Sequence, residues 1–119
     1  MGFAPRKTHA FMTNVATGST VVGSPTYVEG YSVVGFQIIG LNTGTVQFEA
    51  TLSMEPTTTT WIATRATNVN DGVAGTTAAA DGLFTMDVRA FAAVRTRVTT
   101  LSFVNNGRLD VYGVLQAEV

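Results

Sequence analysis

The sequence predicts an all-β chain: an antiparallel β-sandwich, jelly-roll-like or immunoglobulin-like, with an extended N-terminal arm. Three observations carry that prediction. Thr, Val and Ile dominate the runs between turns, and β-branched side chains suit pleated, half-buried surfaces. Apolar and polar residues alternate with a period of two in several segments, which turns one set toward a core. Turns rich in Asn, Asp and Gly recur at short intervals, the spacing of a sandwich or barrel.

Residues 1–25 read as an N-terminal arm or as edge strands, ahead of a sandwich domain over residues 26–119. Pro5 and the basic pair Arg6-Lys7 set this opening apart, and alternation is weak from Phe11 to Val15. Phe3 and Phe11 favour a segment laid along a neighbour, because a free terminus gains nothing from solvent-facing Phe. On that reading Phe3, Arg6, Lys7, His9 and Phe11 contact a partner, and removing residues 1–15 leaves the fold intact.

Strands are expected near residues 11–15, 20–23, 26–29, 31–40, 45–53, 60–67, 83–88, 94–102 and 108–117. Val46, Phe48, Ala50 and Leu52 form one face of their strand, with Gln47, Glu49 and Thr51 on the other. Phe84, Met86 and Val88 repeat the pattern, as do Leu109, Val111, Leu115 and Ala117. Val94 and Val98 share a face, leaving Arg95 and Arg97 on the opposite one. Phe36, Phe48, Trp61 and Phe84 are the candidate core anchors, each ring adding a few kcal/mol of burial. Only residues 89–94 read as a helical turn, too short to stand alone.

Between the strands, Asn42-Thr43-Gly44, Asn70-Asp71-Gly72, Asp81-Gly82 and Asn105-Asn106-Gly107 supply residues that tolerate positive φ. Asn106-Gly107 reads as a hairpin turn. Residues 69–80, rich in Gly, Ala and Thr, read as an exposed loop.

Little in the composition points to chemistry. Cys is missing, so disulfides, thiolate metal sites and a Cys nucleophile are excluded. His9 is the single imidazole and lies in the arm, away from any cleft that acid–base work requires. No Ser has nucleophile-elbow context. Asn68-Val69-Asn70-Asp71-Gly72 spaces oxygen ligands at alternate positions, yet it lacks the first Asp and later Glu of a calcium loop and reads as an Asx turn. Glu49 and the other carboxylates read as turn formers or as cross-strand partners of Arg89, Arg95, Arg97 and Arg108. Arg95 and Arg97 have a second reading, recognition of an acidic surface. No cofactor, metal or enzymatic activity is expected.

Charge bounds the partners. Only 13% of residues are charged and the net charge is −1, against about 25% charged in ordinary domains. No nucleic-acid footprint follows from that balance. The most apolar stretch, residues 33–41, is far short of the ~20 residues of a membrane helix. A surface so poor in charge suits coverage by partner subunits.

Several segments in order resemble a small β-sandwich domain common in structural proteins of tailed phages. They are Gly35-Phe36-Gln37-Ile38-Ile39-Gly40, Gly44-Thr45-Val46-Gln47-Phe48-Glu49-Ala50, Trp61-Ile62-Ala63, Asp81-Gly82-Leu83-Phe84 leading to Val88, Val94-Arg95-Thr96-Arg97-Val98 and Leu109-Asp110-Val111-Tyr112-Gly113. Met54-Glu55-Pro56 and a Thr run stand where the family often has an Asp-Gly turn. The resemblance implies a structural virion protein, foremost a capsid decoration or cement protein that stabilises the head shell. Its partners would be itself, as a homotrimer, and the major capsid protein or other virion proteins. The alternative is a tail, baseplate or head-fibre component that binds host glycan through Tyr27, Tyr31 or Tyr112.

Overall fold

The structure is a computed structural model that describes residues 6–16, 21–41, 43–102 and 108–117, with the backbone alone for 100–102. Among these residues the elements are β1 (Arg6–Val15), β2 (Thr26–Tyr27), β3 (Val33–Ile39), β4 (Thr43–Thr51), β5 (Ile62–Ala63), β6 (Ala66–Asn68), β7 (Ala74–Gly75), β8 (Thr77–Ala78), β9 (Gly82–Asp87), β10 (Ala93–Ser102) and β11 (Leu109–Gln116). They build two antiparallel sheets packed face to face. One has six strands in the order β1-β11-β3-β9-β6-β7; the other has the order β2-β10-β4-β5, with β8 also paired to β4. The chain is an antiparallel β-sandwich.

Alternation explains the core. Val46, Phe48 and Ala50 on β4 and Val94 and Val98 on β10 turn inward from one sheet. Val34, Phe36 and Ile38, Phe84 and Met86, and Leu109, Val111 and Leu115 turn inward from the other. Four rings form a ladder through the middle: Phe11 to Phe36 at 5.1 Å between centroids, Phe36 to Phe48 at 5.0 Å and Phe48 to Phe84 at 5.4 Å. These are tilted contacts that add about 0.5–1.5 kcal/mol each beyond area burial. Gly113 makes room for the first ring, since a Cβ there would overlap the Phe11 side chain.

Residues 6–15 belong to this sandwich. β1 pairs with β11 from Arg6↔Gln116 to Val15↔Leu109, with irregularities after Ala10 and Met12. The first puts Phe11 into the core, and Met12 and Val15 follow it inward. Asn14 takes φ 59°, and its N–H donates to the Asp110 carboxylate at 2.8 Å. Two expectations change as a result. Phe11 faces its own core, where no partner reaches it. Cutting residues 1–15 would strip three core side chains and bare the edge of β11, so the fold depends on them.

Other elements refine the expected ones. Trp61 is only partly buried and lies outside the ring ladder, because it sits on the outer face of the five-stranded sheet above Arg95. The helical turn expected over 89–94 is a tight turn in which Phe91 N–H donates to Val88 C=O at 3.0 Å, and β10 has already begun at Ala93. The strand expected over 60–67 is split into β5 and β6 where the chain crosses between sheets. The strand expected near 20–23 reduces, in its described part, to a bridge from Val22 to Arg97. The loop expected over 69–80 contains β7 and β8, two-residue strands that the Gly/Ala/Thr composition conceals. The hairpin turn expected at Asn106-Gly107 lies outside the described residues.

Candidate interaction surfaces

The flank beside β1 holds most of the residues the sequence singled out. β1 is an edge strand, and Lys7 and His9 lie on its core-facing alternation, where an apolar side chain would invite a neighbour. Lys7 Nζ donates to Thr26 Oγ1 at 2.8 Å, and His9 Nε2 donates to the Ser24 carbonyl at 2.8 Å. The His9 ring also meets Phe11 edge-on, with centroids 4.6 Å apart. Ser24 N–H donates to Phe11 C=O and Gly23 N–H to Thr96 C=O, so residues 23–24 stitch the two sheets together. Lys7, His9 and Phe11 thus close this side of the sandwich. Arg6 is exposed at the start of β1, and Phe3 lies outside the described residues.

The outer face of the five-stranded sheet carries a charged cluster. Register places Arg95 opposite Glu49 and Arg97 opposite Gln47. Arg95 Nε lies 2.7 Å from Glu49 Oε1, Arg97 Nε lies 3.6 Å from Glu49 Oε2, and Gln47 Nε2 donates to Glu49 Oε2 at 2.8 Å. The Arg95 guanidinium also lies 4.5 Å from the centroid of the Trp61 ring. Only 5% of the Glu49 side chain is exposed, although it stands on the outward side of its strand. The cross-strand reading of Arg95 and Arg97 therefore describes the geometry, with one carboxylate serving both.

The outer face of the six-stranded sheet is different. One row across it reads Ala10, Tyr112, Gln37 and Leu83; another reads Thr8, Val114, Gly35, Thr85 and Thr67. Neither row holds a charged side chain. Tyr112, Leu83 and the nearby Ile39 and Val69 are exposed. Gly35 lacks a side chain between Val114 and Thr85, and there the face dips into a depression of about 280 Å³ lined also by Tyr112, Gln37 and Leu83. Among the described strand residues of this face, charged groups stand only at its ends, Asp110 at one and Arg6 and Asp87 at the other. Sequence reasoning did not single out this face. The signal was present in Ile39 and Leu83, apolar residues at outward positions of alternating strands.

The remaining candidates serve the backbone. Asp81 accepts Leu41 N–H at 2.6 Å and Gly40 N–H at 3.0 Å, tying two loops together. Asn68 Oδ1 accepts Asn70 N–H and Asp71 Oδ1 accepts Val73 N–H, the bonds of Asx turns. Among the described residues no three His, Cys, Asp or Glu side chains gather as a metal site. Tyr27 Oη donates to Met54 C=O at 3.0 Å, and Tyr31 packs against the core. Among the described residues no helix is long and apolar enough to cross a membrane.

No family model matches the sequence, and no curated protein matches it. Solved structures do match the fold. The SPBc2 prophage-derived protein YomS superposes with a TM-score of 0.81 at 17% identity, covering 98% of this chain and 97% of that one. The PBSX exported protein XepA superposes with a TM-score of 0.84 at 13% identity, covering 98% of this chain and 39% of that one. At such identities the likeness establishes the fold: this sandwich is the architecture of two phage-derived proteins.

Proposed function

We propose that this chain is a non-enzymatic structural component of a phage particle, a decoration protein that binds the head shell through the outer face of its six-stranded sheet. The observation that carries the reading is that face: two full rows without charge, with Tyr112, Leu83 and Ile39 in water. Exposed apolar area of this kind is stabilised by coverage, and aromatic anchors with a polar neighbour such as Gln37 are typical of interface centres. The fold shared with phage-derived proteins supports the particle as the setting. The low overall charge fits a surface that meets other subunits.

A second reading, a tail or fibre component that binds glycan, is favoured by one observation. Tyr112 stands exposed beside Gln37 over the Gly35 depression, a stacking platform with a hydrogen-bonding side chain next to it.

Substituting Leu83→Lys and Tyr112→Lys together tests the first reading. Both residues are exposed, so thermal unfolding is expected to change by less than about 1 kcal/mol. Incorporation into particles, followed by gold labelling of the tagged chain, should be lost. Abundant wild-type label over the head supports decoration. Label confined to the tail tip, with binding on a glycan array that Tyr112→Ala removes, supports the second reading. Unchanged incorporation of the double variant refutes the role given to this face.

A further inference from the structure

The inner face of the five-stranded sheet runs past the strands that cover it. Val46, Phe48 and Ala50 are buried, yet Leu52, which continues their alternation, is 73% exposed. Ile62, opposite Ala50 on β5, is 64% exposed. The cause lies in the other sheet. β6 pairs with β9 only at Thr67↔Thr85 and Asn68↔Phe84, because at residues 64–65 the chain crosses over to β5. The two sheets part there and leave a groove of about 690 Å³. Leu52, Ile62, Ala50 and the partly buried Phe91 supply its apolar lining, and Arg65 is its one charged lining residue. The opposite flank has the stitching of Lys7, His9 and Ser24; on this one the crossings from β5 to β6 and from β7 to β8 are held to β4, Thr64 N–H donating to Phe48 C=O and Phe48 N–H to Thr76 C=O, and Leu52 and Ile62 stay exposed.

Residues 1–5, Met-Gly-Phe-Ala-Pro, precede β1 and carry no charged side chain. They join the sandwich at Arg6, whose row runs through Gln116 and Val33 to Asp87. Arg6 thus lies at the same end of the molecule as the groove but at the other edge of the sheet. Three strand spacings separate β1 from β9, about 14 Å. The Phe3 Cα is at most about 11 Å from that of Arg6. The Phe3 Cα therefore cannot come level with β9, and the groove lies beyond that strand. The groove of a second copy is under no such limit of reach.

We propose that the groove is the acceptor site for residues 1–5 of a second copy of this chain, with Phe3 seated against Leu52, Ile62 and Phe91. Donor and acceptor lie on opposite edges, so the contact is head-to-tail. Such a contact closes into a ring, a trimer among them, where the rotation between copies permits. It joins copies of this chain and does not depend on the sheet face assigned to the particle.

Sedimentation velocity on the full-length chain over a concentration series tests the proposal. The wild type is expected to self-associate. Phe3→Asp and Ile62→Asp should each weaken association roughly 30-fold or more, the loss of one buried aromatic contact, with unchanged circular dichroism. Leu52→Asp provides a second acceptor variant. The decisive arm mixes Phe3→Asp with Ile62→Asp: the first keeps an intact groove and the second an intact Phe3, so together they should form a one-to-one dimer that neither forms alone. A monomeric wild type, association that survives Phe3→Asp, or a mixture that stays monomeric would each overturn the proposal. So would a photo-crosslinker at position 3 that links to Ile62 only within one chain.

Discussion

The two sheets of this sandwich treat their outer faces in opposite ways. On the five-stranded sheet, Glu49, Arg95, Arg97 and Gln47 satisfy one another, and Trp61 covers the Arg95 guanidinium. On the six-stranded sheet, two rows of Thr, Tyr, Gln, Leu and Val have no charge to offer. The first face is finished within the chain. The second leaves apolar groups in water, which is where a partner gains most. On one face the charges pair with one another, and on the other the two central rows hold none.

Removing the shared carboxylate is the hardest test of the finished face. Glu49→Ala leaves Arg95 and Arg97 without an anion. The Arg95 side chain is only 13% exposed, so its charge is poorly solvated once the partner is gone. Breaking a buried ion pair costs about 3–5 kcal/mol, and the residual exposure of Arg97 lowers that to roughly 2–4 kcal/mol here. Urea denaturation should show the loss as a lower midpoint with an unchanged slope. Replacing Glu49 and Arg95 together with Leu is expected to recover much of it. A single variant as stable as the wild type would mean that the cluster is solvated after all, and the contrast between the faces would weaken.

A smaller effect of opposite sign is expected beneath the same sheet. Thr96 faces inward across from Phe48, and its hydroxyl is the one buried side-chain oxygen or nitrogen without a hydrogen-bond partner among the described residues. Such an orphan costs about 1–3 kcal/mol. Val has nearly the same shape and no polar atom. Thr96→Val should therefore raise stability by about 1 kcal/mol, or roughly 4 °C in Tm by calorimetry. A fall in Tm would show that the hydroxyl finds a partner in solution.

Much of this layout is legible in the residues. Period-two alternation places Val46, Phe48, Val94, Val98, Leu109, Val111 and Leu115 on inner faces, and the structure buries all of them. It also puts Arg95 and Arg97 on one side together, where Glu49 meets them. Alternation says nothing about what covers a face, however. Leu52 continues the apolar series in sequence but lies just past the end of β4 at Thr51 and is exposed. Trp61 has the size of a core anchor and sits outside as a lid on Arg95. Phe11 shows the same limit from the other direction. It follows weakly alternating, basic residues, and only the irregular pairing after Ala10, with Gly113 opposite, turns it inward. Those outcomes depend on which strands meet, and pairing across nearly a hundred residues is not written in local pattern.

The smallest effect belongs to the rim of the uncharged face. Asp87 ends β9 and binds Arg89, whose Nη2 lies 2.6 Å from Oδ2 while its backbone N–H donates to Oδ1 at 3.1 Å. The side-chain hydrogen bond from Arg89, then the backbone one, lowers the Asp87 pKa from its ordinary 3.8 to about 2. Folding therefore favours the deprotonated carboxylate. The stabilisation is present in full above about pH 4 and is lost as pH falls through about 2, where the folded-state carboxylate takes up its proton. Both side chains are more than half exposed, so solvent screens the pair and any change in Tm should be slight. The titration itself is the sharper readout. Carboxyl carbon shifts should give Asp87 a midpoint near 2, and Arg89→Ala should return it toward 3.8. A wild-type midpoint already near 3.8 would mean that this rim pair is open in solution, unlike the sheltered contacts of Glu49 on the opposite face.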